Sequence, residues 1–429
     1  MRVRTIEEHQ RAISELVEAA LASRGTEILP VAAAASGSLS LGPASRGREL
    51  VHDVIAPLDL PPFDNSQMDG YAVRSSDLTA GPRALTVGRR IPAGVAPPPL
   101  LAGTAAPIMT GAAIPDGADA VVQIELADPP RFLDEVAGPA SVTLPGSVPA
   151  GQFVRSRGSD LPGGSVLLER GTVLRPAHWG VLASSGVETV EVIAPLRVML
   201  VSTGAELAMG PGNLGAAKIH DANTAALGSA IASLGVHVST YQATDDVDAF
   251  LAFIRGLGGA DPTTADGAAI DLVVTTGGVS AGAYEVVREA LHDCGVEFGS
   301  VAMQPGGPQG WGAVDTEHGS LPIVCFPGNP VSALVSFEAF LHEPLARAAH
   351  AAFADRDRRA PLAEAADSPP GKHQIRRARL DADGRVHFVG GPSSHLLHHY
   401  AQATVLAHIP FGVSRVEPGD EVVVWALDE

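Results

Sequence analysis

"LRVMLVSTG", residues 196–204, is an apolar run closed by Ser-Thr-Gly, and its reading decides the fold. It is too short for a globular helix, and its apolar positions are consecutive rather than alternate. That is the pattern of a strand covered on both faces. The same theme then repeats. "DANTAALGSAIASLG" (221–235) reads as a helix with Asn223 or Thr224 as N-cap and Gly235 as stop. "VHVSTYQA" (236–243), a helix over "DVDAFLAFIRGL" (246–257), "IDLVVTTGG" (270–278) and a helix through "YEVVREALHDCG" (284–295) follow. "VEFGSVAMQPG" (296–306), "LPIVCFPGNP" (321–330) and a helix from Val331 toward Ala349 complete the series. Strands alternating with helices predict a doubly wound α/β domain on a largely parallel sheet.

Outward from this centre the pattern changes. Residues 1–46 read as an amphipathic helix and an Ala/Gly/Ser-rich connection, and 47–146 as a β-rich domain with many turns. Residues 147–193 form a link of strand, short helix and strand. Beyond the helix ending near 349, "AAFADRDRRAPLAEAADSPPG" (351–371) reads as a linker and 372–429 as a small all-β domain. A chain of 429 residues exceeds one ordinary core, so about two to four domains are expected.

Composition excludes several classes of function. The net charge is −19, with 48 acidic against 29 basic residues, which argues against a nucleic-acid partner. No apolar run is long enough to be integral to a membrane. The first helix carries Glu7, Glu8 and Glu15 where a signal peptide would be apolar. Cys294 and Cys325 lack metal-ligand spacing, and a reduced cytoplasm is the simplest location.

Ligands of open α/β sheets bind at the carboxyl ends of the strands. Glu206 follows the first strand, Asp245 and Asp246 the second, and Gly277, Gly278, Gly282 and Glu285 the third. "FPGNPVSA" follows the last, with Ser332 in the first turn of its helix. A Gly-Gly step is more often tight packing than a phosphate cradle, and a lone loop carboxylate is usually a cap. Carboxylates on three loops and glycines on two, all along one edge, instead predict a pocket for a phosphorylated ligand with a hard cation such as Mg²⁺. His395, His398 and His399 have helical metal-ligand spacing but lie in a β-patterned region, so partial burial or exposure is expected. Neither a Ser/His/Asp motif nor a P-loop occurs. One stretch, "PPFDNSQMDGYAVR" (61–74), reads either as a plain surface turn or as a bend that aims Asp69 at a ligand or metal.

"FDNSQMDGYAVR", "IMTGAAIPDGADAVV", "RSRGSDL", "STGAEL", "TTGGVSAG" and "FPGNPVSA" stand in the order found in the MoeA family, the molybdopterin molybdenumtransferases. They resemble equally the E domain of gephyrin, and the resemblance spans essentially the whole chain. It implies a multidomain α/β protein of four domains. These are a helical/β linker domain (1–46 and 147–193), a β-rich domain (47–146), a MogA-like α/β domain (194–349) and a C-terminal β-barrel domain (350–429). It also implies a cytoplasmic homodimer with each site shared between subunits. Molybdate is inserted into adenylylated molybdopterin with a divalent cation such as Mg²⁺, AMP leaves, and the dithiolene sulfurs capture molybdenum. A MogA-like adenylyltransferase is an implied partner.

Residue by residue, the resemblance places Asp69, Glu206, Asp245 and Glu285 in catalysis, the last three also as metal ligands. Thr110, Asp160, Gly277, Gly278, Gly282, Gln304, Asn329, Ser332, Lys372 and Arg377 are implied to bind substrate. Two departures stand out. Glu285 replaces the family's aspartate, and "VAMQPGGPQGWG" carries Ser300, Gln304 and Gly307 where relatives often carry lysine. Such thinning leaves a second expectation open, a gephyrin-like scaffold whose degraded site binds a peptide of a membrane receptor or of a cytoskeletal or cell-division protein. A stand-alone MogA-like adenylyltransferase fits poorly with the long N-terminal half and the β tail.

Overall fold

The computed structural model describes residues 3–22, 24–31, 47–133, 140–208, 212, 214–257, 269–279, 285–351 and 356–427. The chain divides into two compact units, Met1–Glu27 with Leu41–Arg48 and Ile193–Glu429, and Ile28–Ser40 with Glu49–Val192.

In the first unit, the opening residues give β1 (Val3–Arg4) and α1 (Ile6–Ala22). Thr5 and Glu8 cap this helix reciprocally: Glu8 N–H donates to Thr5 Oγ1 (3.2 Å) and Thr5 N–H to the Glu8 carboxylate (3.1 Å). Ile6, His9, Ile13, Val17 and Ala20 form its buried stripe. The α/β series then runs β2 (Arg197–Thr203), α2 (Ala222–Ser233), β3 (His237–Ala243), α3 (Val247–Gly256), β4 (Leu272–Thr276) and α4 (Val286–Leu291). It continues with β5 (Val296–Val301), β6 (Met303–Gln304), β7 (Pro308–Thr316), β8 (Gly319–Phe326) and α5 (Pro330–Ser336). A π-helical turn, Phe337–Leu341, leads into α6 (His342–Ala348).

The seven-stranded sheet has the order β1-β5-β7-β8-β4-β2-β3. Only β7 runs against the rest. Val198 and Leu200 of β2 enter the core containing α1, while Met199 and Val201 enter the core containing Phe250 and Ile254. Both faces are covered, which is why the run is apolar at each position from Val198 to Val201.

Three sequence expectations change here. The N-cap of α2 is Asp221, whose carboxylate accepts from Thr224 N–H (3.0 Å) and Oγ1 (2.6 Å). Strand β7 was invisible in the sequence because Gly310 and Gly312 break its pattern. A Cβ on Gly310 would lie 2.7 Å from the Phe298 ring, and one on Gly312 would lie 2.2 Å from the Gly295 carbonyl. Finally, "RDRR" is no linker: β9 (Arg358–Pro361) pairs with the last strand, and Arg356 forms a buried ion pair with Glu338 (2.5 Å).

The C-terminal sheet sets β10 (His373–Leu380), β11 (Val386–Phe388), β12 (Val405–Ile409) and β13 (Glu421–Ala426) beside β9. Its other edge is β6, with Met303 opposite His373 and Gln304 opposite Gln374. The α/β segment thereby lends a strand to the β domain.

The second unit contains a five-stranded sheet in the order Ala120–Gln123, Gly70–Val73, Thr104–Ile108, Arg83–Val87, Ser141–Leu144. A separate core gathers Leu50, Leu174, Trp179, Leu182 and Val190 around the helix Pro176–Ser184. None of the described helices is long and apolar enough to cross a membrane.

Candidate active site

At the carboxyl ends of β2, β4 and β8 the first unit opens a cleft of about 1110 Å³. Two glycine turns form its floor. Gly277 and Gly278 have φ of +90° and +66°, and a Cβ on either would strike Thr203 O (2.7 Å) or Val287 Cγ2 (2.8 Å). A Cβ on Gly328, from the other turn, would lie 3.3 Å from Gly277 Cα. Close packing alone therefore requires these glycines, and the packing brings both turns to the same floor. Asn329 N-caps α5 and Ser332 stands in its first turn, both lining the cleft. Gly282 lies outside the described residues.

Glu206, Asp245 and Glu285 all line this cleft. Glu206 folds over Gly204: a Cβ on that glycine would sit 2.7 Å from Glu206 Oε2. Glu285 is the N-cap residue of α4. Asp246, by contrast, is spent as the N-cap of α3, accepting from Ala249 N–H (2.9 Å). Among the described residues, no three His, Cys, Asp or Glu side chains converge on one metal-holding point. The donor chemistry still suits a hard cation, since Mg²⁺ is usually held by one or two carboxylates together with water and substrate phosphate.

Sequence reasoning passed over Asn223. It donates to Gly328 O (2.8 Å), tying α2 to the second glycine turn, and its Oδ1 is buried with no partner. Its signal was masked by its reading as a cap.

Asp69 lies in the second unit and is exposed. Thr110 N–H (2.7 Å) and Oγ1 (2.8 Å) both donate to its Oδ1, and these two bonds hold its carboxyl below the usual range. The opening bend is set by Ser66, whose hydroxyl donates to Met68 O (2.6 Å), and by Gly70, where a Cβ would lie 2.0 Å from Val122 O. The turn residues thus serve to present one fixed carboxylate beside Thr110. Asp160 is also exposed, and its N–H donates to Leu60 O (2.9 Å) just upstream of that bend.

Residues 4–186 match the MoeA N-terminal region (domain I and II), 199–347 a probable molybdopterin binding domain, and 359–427 the MoeA C-terminal region (domain IV). Molybdopterin molybdenumtransferase 2 of Mycobacterium tuberculosis is 40% identical, over 99% of this chain and 100% of the relative. The chain belongs to the MoeA family. Molybdopterin molybdenumtransferase of Synechococcus elongatus is 36% identical over 89% of this chain and 92% of its own. In fold, the chain matches the crystal structure of a molybdopterin biosynthesis MoeA protein from Pyrococcus horikoshii, at a TM-score of 0.71 and 26% identity, with both chains fully covered.

Within this MoeA chain, the turn that carries Ser300, Gln304 and Gly307 also faces the cleft. Ser300, Gln304, Gly306 and Gly307 line it, with Lys372, Ser393 and His395 from the C-terminal domain. Gln309, fully buried, donates to Gly306 O and Ser336 Oγ (2.7 Å each) and fixes the turn from beneath. Gln304 accepts from Gln374 (2.8 Å), across the β6–β10 pairing. Four carboxylates, those of Glu206, Asp221, Asp245 and Glu285, face a single lining lysine.

Arg377 is placed differently from the other candidates. It is 4% exposed and donates to the carbonyls of Val389, Gly391 and Ser393, bracing the loop that carries Ser393 rather than lining the cleft. The three histidines do not converge either. His395 lines the cleft, His398 pairs with Gln402 (3.1 Å), and residues 397–400 are a short helix instead of β structure.

Proposed function

We propose that this protein is a molybdopterin molybdenumtransferase, inserting molybdate into adenylylated molybdopterin with release of AMP. The observation that carries the reading is the cleft itself. Two glycine turns and three carboxylates meet there, in a chain whose full-length relatives bear that transferase name. The scaffold alternative is not favoured, since the full-length relatives carry the transferase name.

In this reading the glycine turns and the α5 N-terminus hold the phosphate-bearing end of the substrate. Ser332 and Asn329 orient it through hydrogen bonds. One or two of Glu206, Asp245 and Glu285 would hold Mg²⁺ together with substrate phosphate, and the cation when bound would offset phosphate charge as the anhydride breaks. Asp69, fixed by Thr110, acts as a charged group on the reacting end, with Asp160 beside it in the substrate-binding set. A cleft with one lining lysine leans on the cation, because four carboxylates otherwise repel a phosphate.

The test follows from that charge balance. Calorimetry with AMP should give measurable binding in Mg²⁺ and lose about tenfold or more in affinity with a chelator. Release of AMP from adenylylated molybdopterin should require both Mg²⁺ and molybdate. Absence of both signals, together with failure to rescue a cofactor-deficient host, would overturn the assignment.

We further propose a homodimer with the Asp69 region of one subunit completing the cleft of the other. Light scattering should report twice the 43.9 kDa chain mass at micromolar concentration. A monomer that remains active would remove the shared site.

A further inference from the structure

Of 29 basic residues only two are lysines, Lys218 and Lys372, leaving 29 − 2 = 27 arginines. Lys372 lines the cleft from the C-terminal domain, and Lys218, outside that lining, bonds to a residue that does. Lys218 belongs to the segment between β2 and α2, which is laced to the Glu206 loop. Ile219 N–H donates to Glu206 O (2.9 Å), and Ala208 N–H to Ile219 O (2.9 Å). Ile219 and His220, the next two residues, line the cleft. The Lys218 ammonium donates to the carbonyl of Ala205, which also lines it, one residue from Glu206.

An ammonium has three N–H donors, so one bond to Ala205 leaves two for a ligand. Lys218 is exposed, and its flexible stem can swing without dismantling the bridge formed by its neighbours. The residue type is informative in a chain that otherwise uses arginine. A planar guanidinium needs several acceptors in a fixed fork, whereas a compact ammonium can hold one carbonyl and one phosphate oxygen together.

We infer that Lys218 is a second substrate-binding cation, reaching the phosphate of the bound nucleotide from the α/β wall and offsetting the absence of lysine at Ser300, Gln304 and Gly307. The inference rests on the proposed function, since it needs an anionic ligand in this cleft. It doubles the cleft's ammonium charge from one to two against the four lining carboxylates. A purely structural Lys218 would clamp Ala205 alone and ignore the ligand.

Because only two side-chain amines exist, acylation by an N-hydroxysuccinimide ester, read by peptide mass spectrometry, reports each lysine separately. On the full chain in Mg²⁺, saturating AMP should slow acylation of both Lys218 and Lys372 by about fivefold or more, while adenosine, lacking phosphate, should not. Lys218→Gln should weaken AMP binding by about five- to tenfold, with Lys218→Arg falling between the two. AMP that binds by calorimetry yet leaves Lys218 acylation unchanged would overturn this role and spare the proposed function. So would equal protection by adenosine. Absence of any AMP binding would also overturn this role, while the proposed function falls only if AMP release and host rescue fail as well.

Discussion

Asp69→Asn is expected to lower the rate of molybdate-dependent AMP release by roughly 10²–10³-fold while leaving the melting temperature within about 2 °C of wild type. The two halves of that expectation have separate causes. The amide is nearly the same shape, and its carbonyl oxygen can still accept from Thr110 N–H and Oγ1, so the bend survives. The side chain is exposed, so no core contact is lost. What disappears is the negative charge, which the Thr110 bonds favour by holding the carboxyl below its usual range. Thr110→Val separates orientation from charge. It removes one of the two bonds to Oδ1 and should cost less, about tenfold, with a partial shift of the pH–rate profile. If Asp69→Asn were to turn over like wild type, Asp69 would be a turn residue only, and the bland reading of residues 61–74 would stand.

Much of this was legible in the sequence, for definable reasons. A strand buried on both faces reads as a near-continuous apolar run, so residues 196–204 announced the sheet, and strand-end geometry then located Glu206, Asp245 and the glycine turns. The rest depends on contacts remote in sequence. The stripe of α1 said that the helix has a partner, but not that β1 would pair beside Ser300 of the α/β sheet. Arg377 and Lys372 lie five positions apart on one basic segment, and only burial shows that the first braces a loop while the second faces the cleft. Local pattern misled for β7, because glycines chosen for close backbone approach look like turn residues.

Acid stability of the first unit should be governed by histidines buried in neutral form. His9 sits in α1 between Trp311 and Phe340, at ring distances of 4.9 and 4.5 Å, with neither ring nitrogen bonded. Burial, helped by Arg4, pushes it down to about 3. His342 falls to about 4 for the same leading reason. His373 and His408 face each other at 3.0 Å, and burial lowers both. In each case the unfolded chain takes up a proton near pH 6.5 and the folded one does not, so stability present above that pH is lost as pH falls toward the folded value. For His9 alone the loss between pH 6.5 and 4.5 is on the order of 2–3 kcal/mol. Asp271 works in the opposite sense. Burial raises it to about 6, so the folded state binds its proton first and gains stability as pH falls from 6 toward the ordinary carboxylate range. Glu338, also raised by burial, adds to that gain. Two carboxyls therefore oppose four histidines, and the net expectation is a loss of stability as the pH falls from 7 to 5. Urea melts at the two pH values should show it, and His9→Phe, which suits the aromatic box, should flatten the slope by up to one proton. Asp271→Asn should steepen it. A wild-type midpoint unchanged between pH 7 and 5 would mean that these imidazoles are hydrated or paired, contrary to the packing around His9.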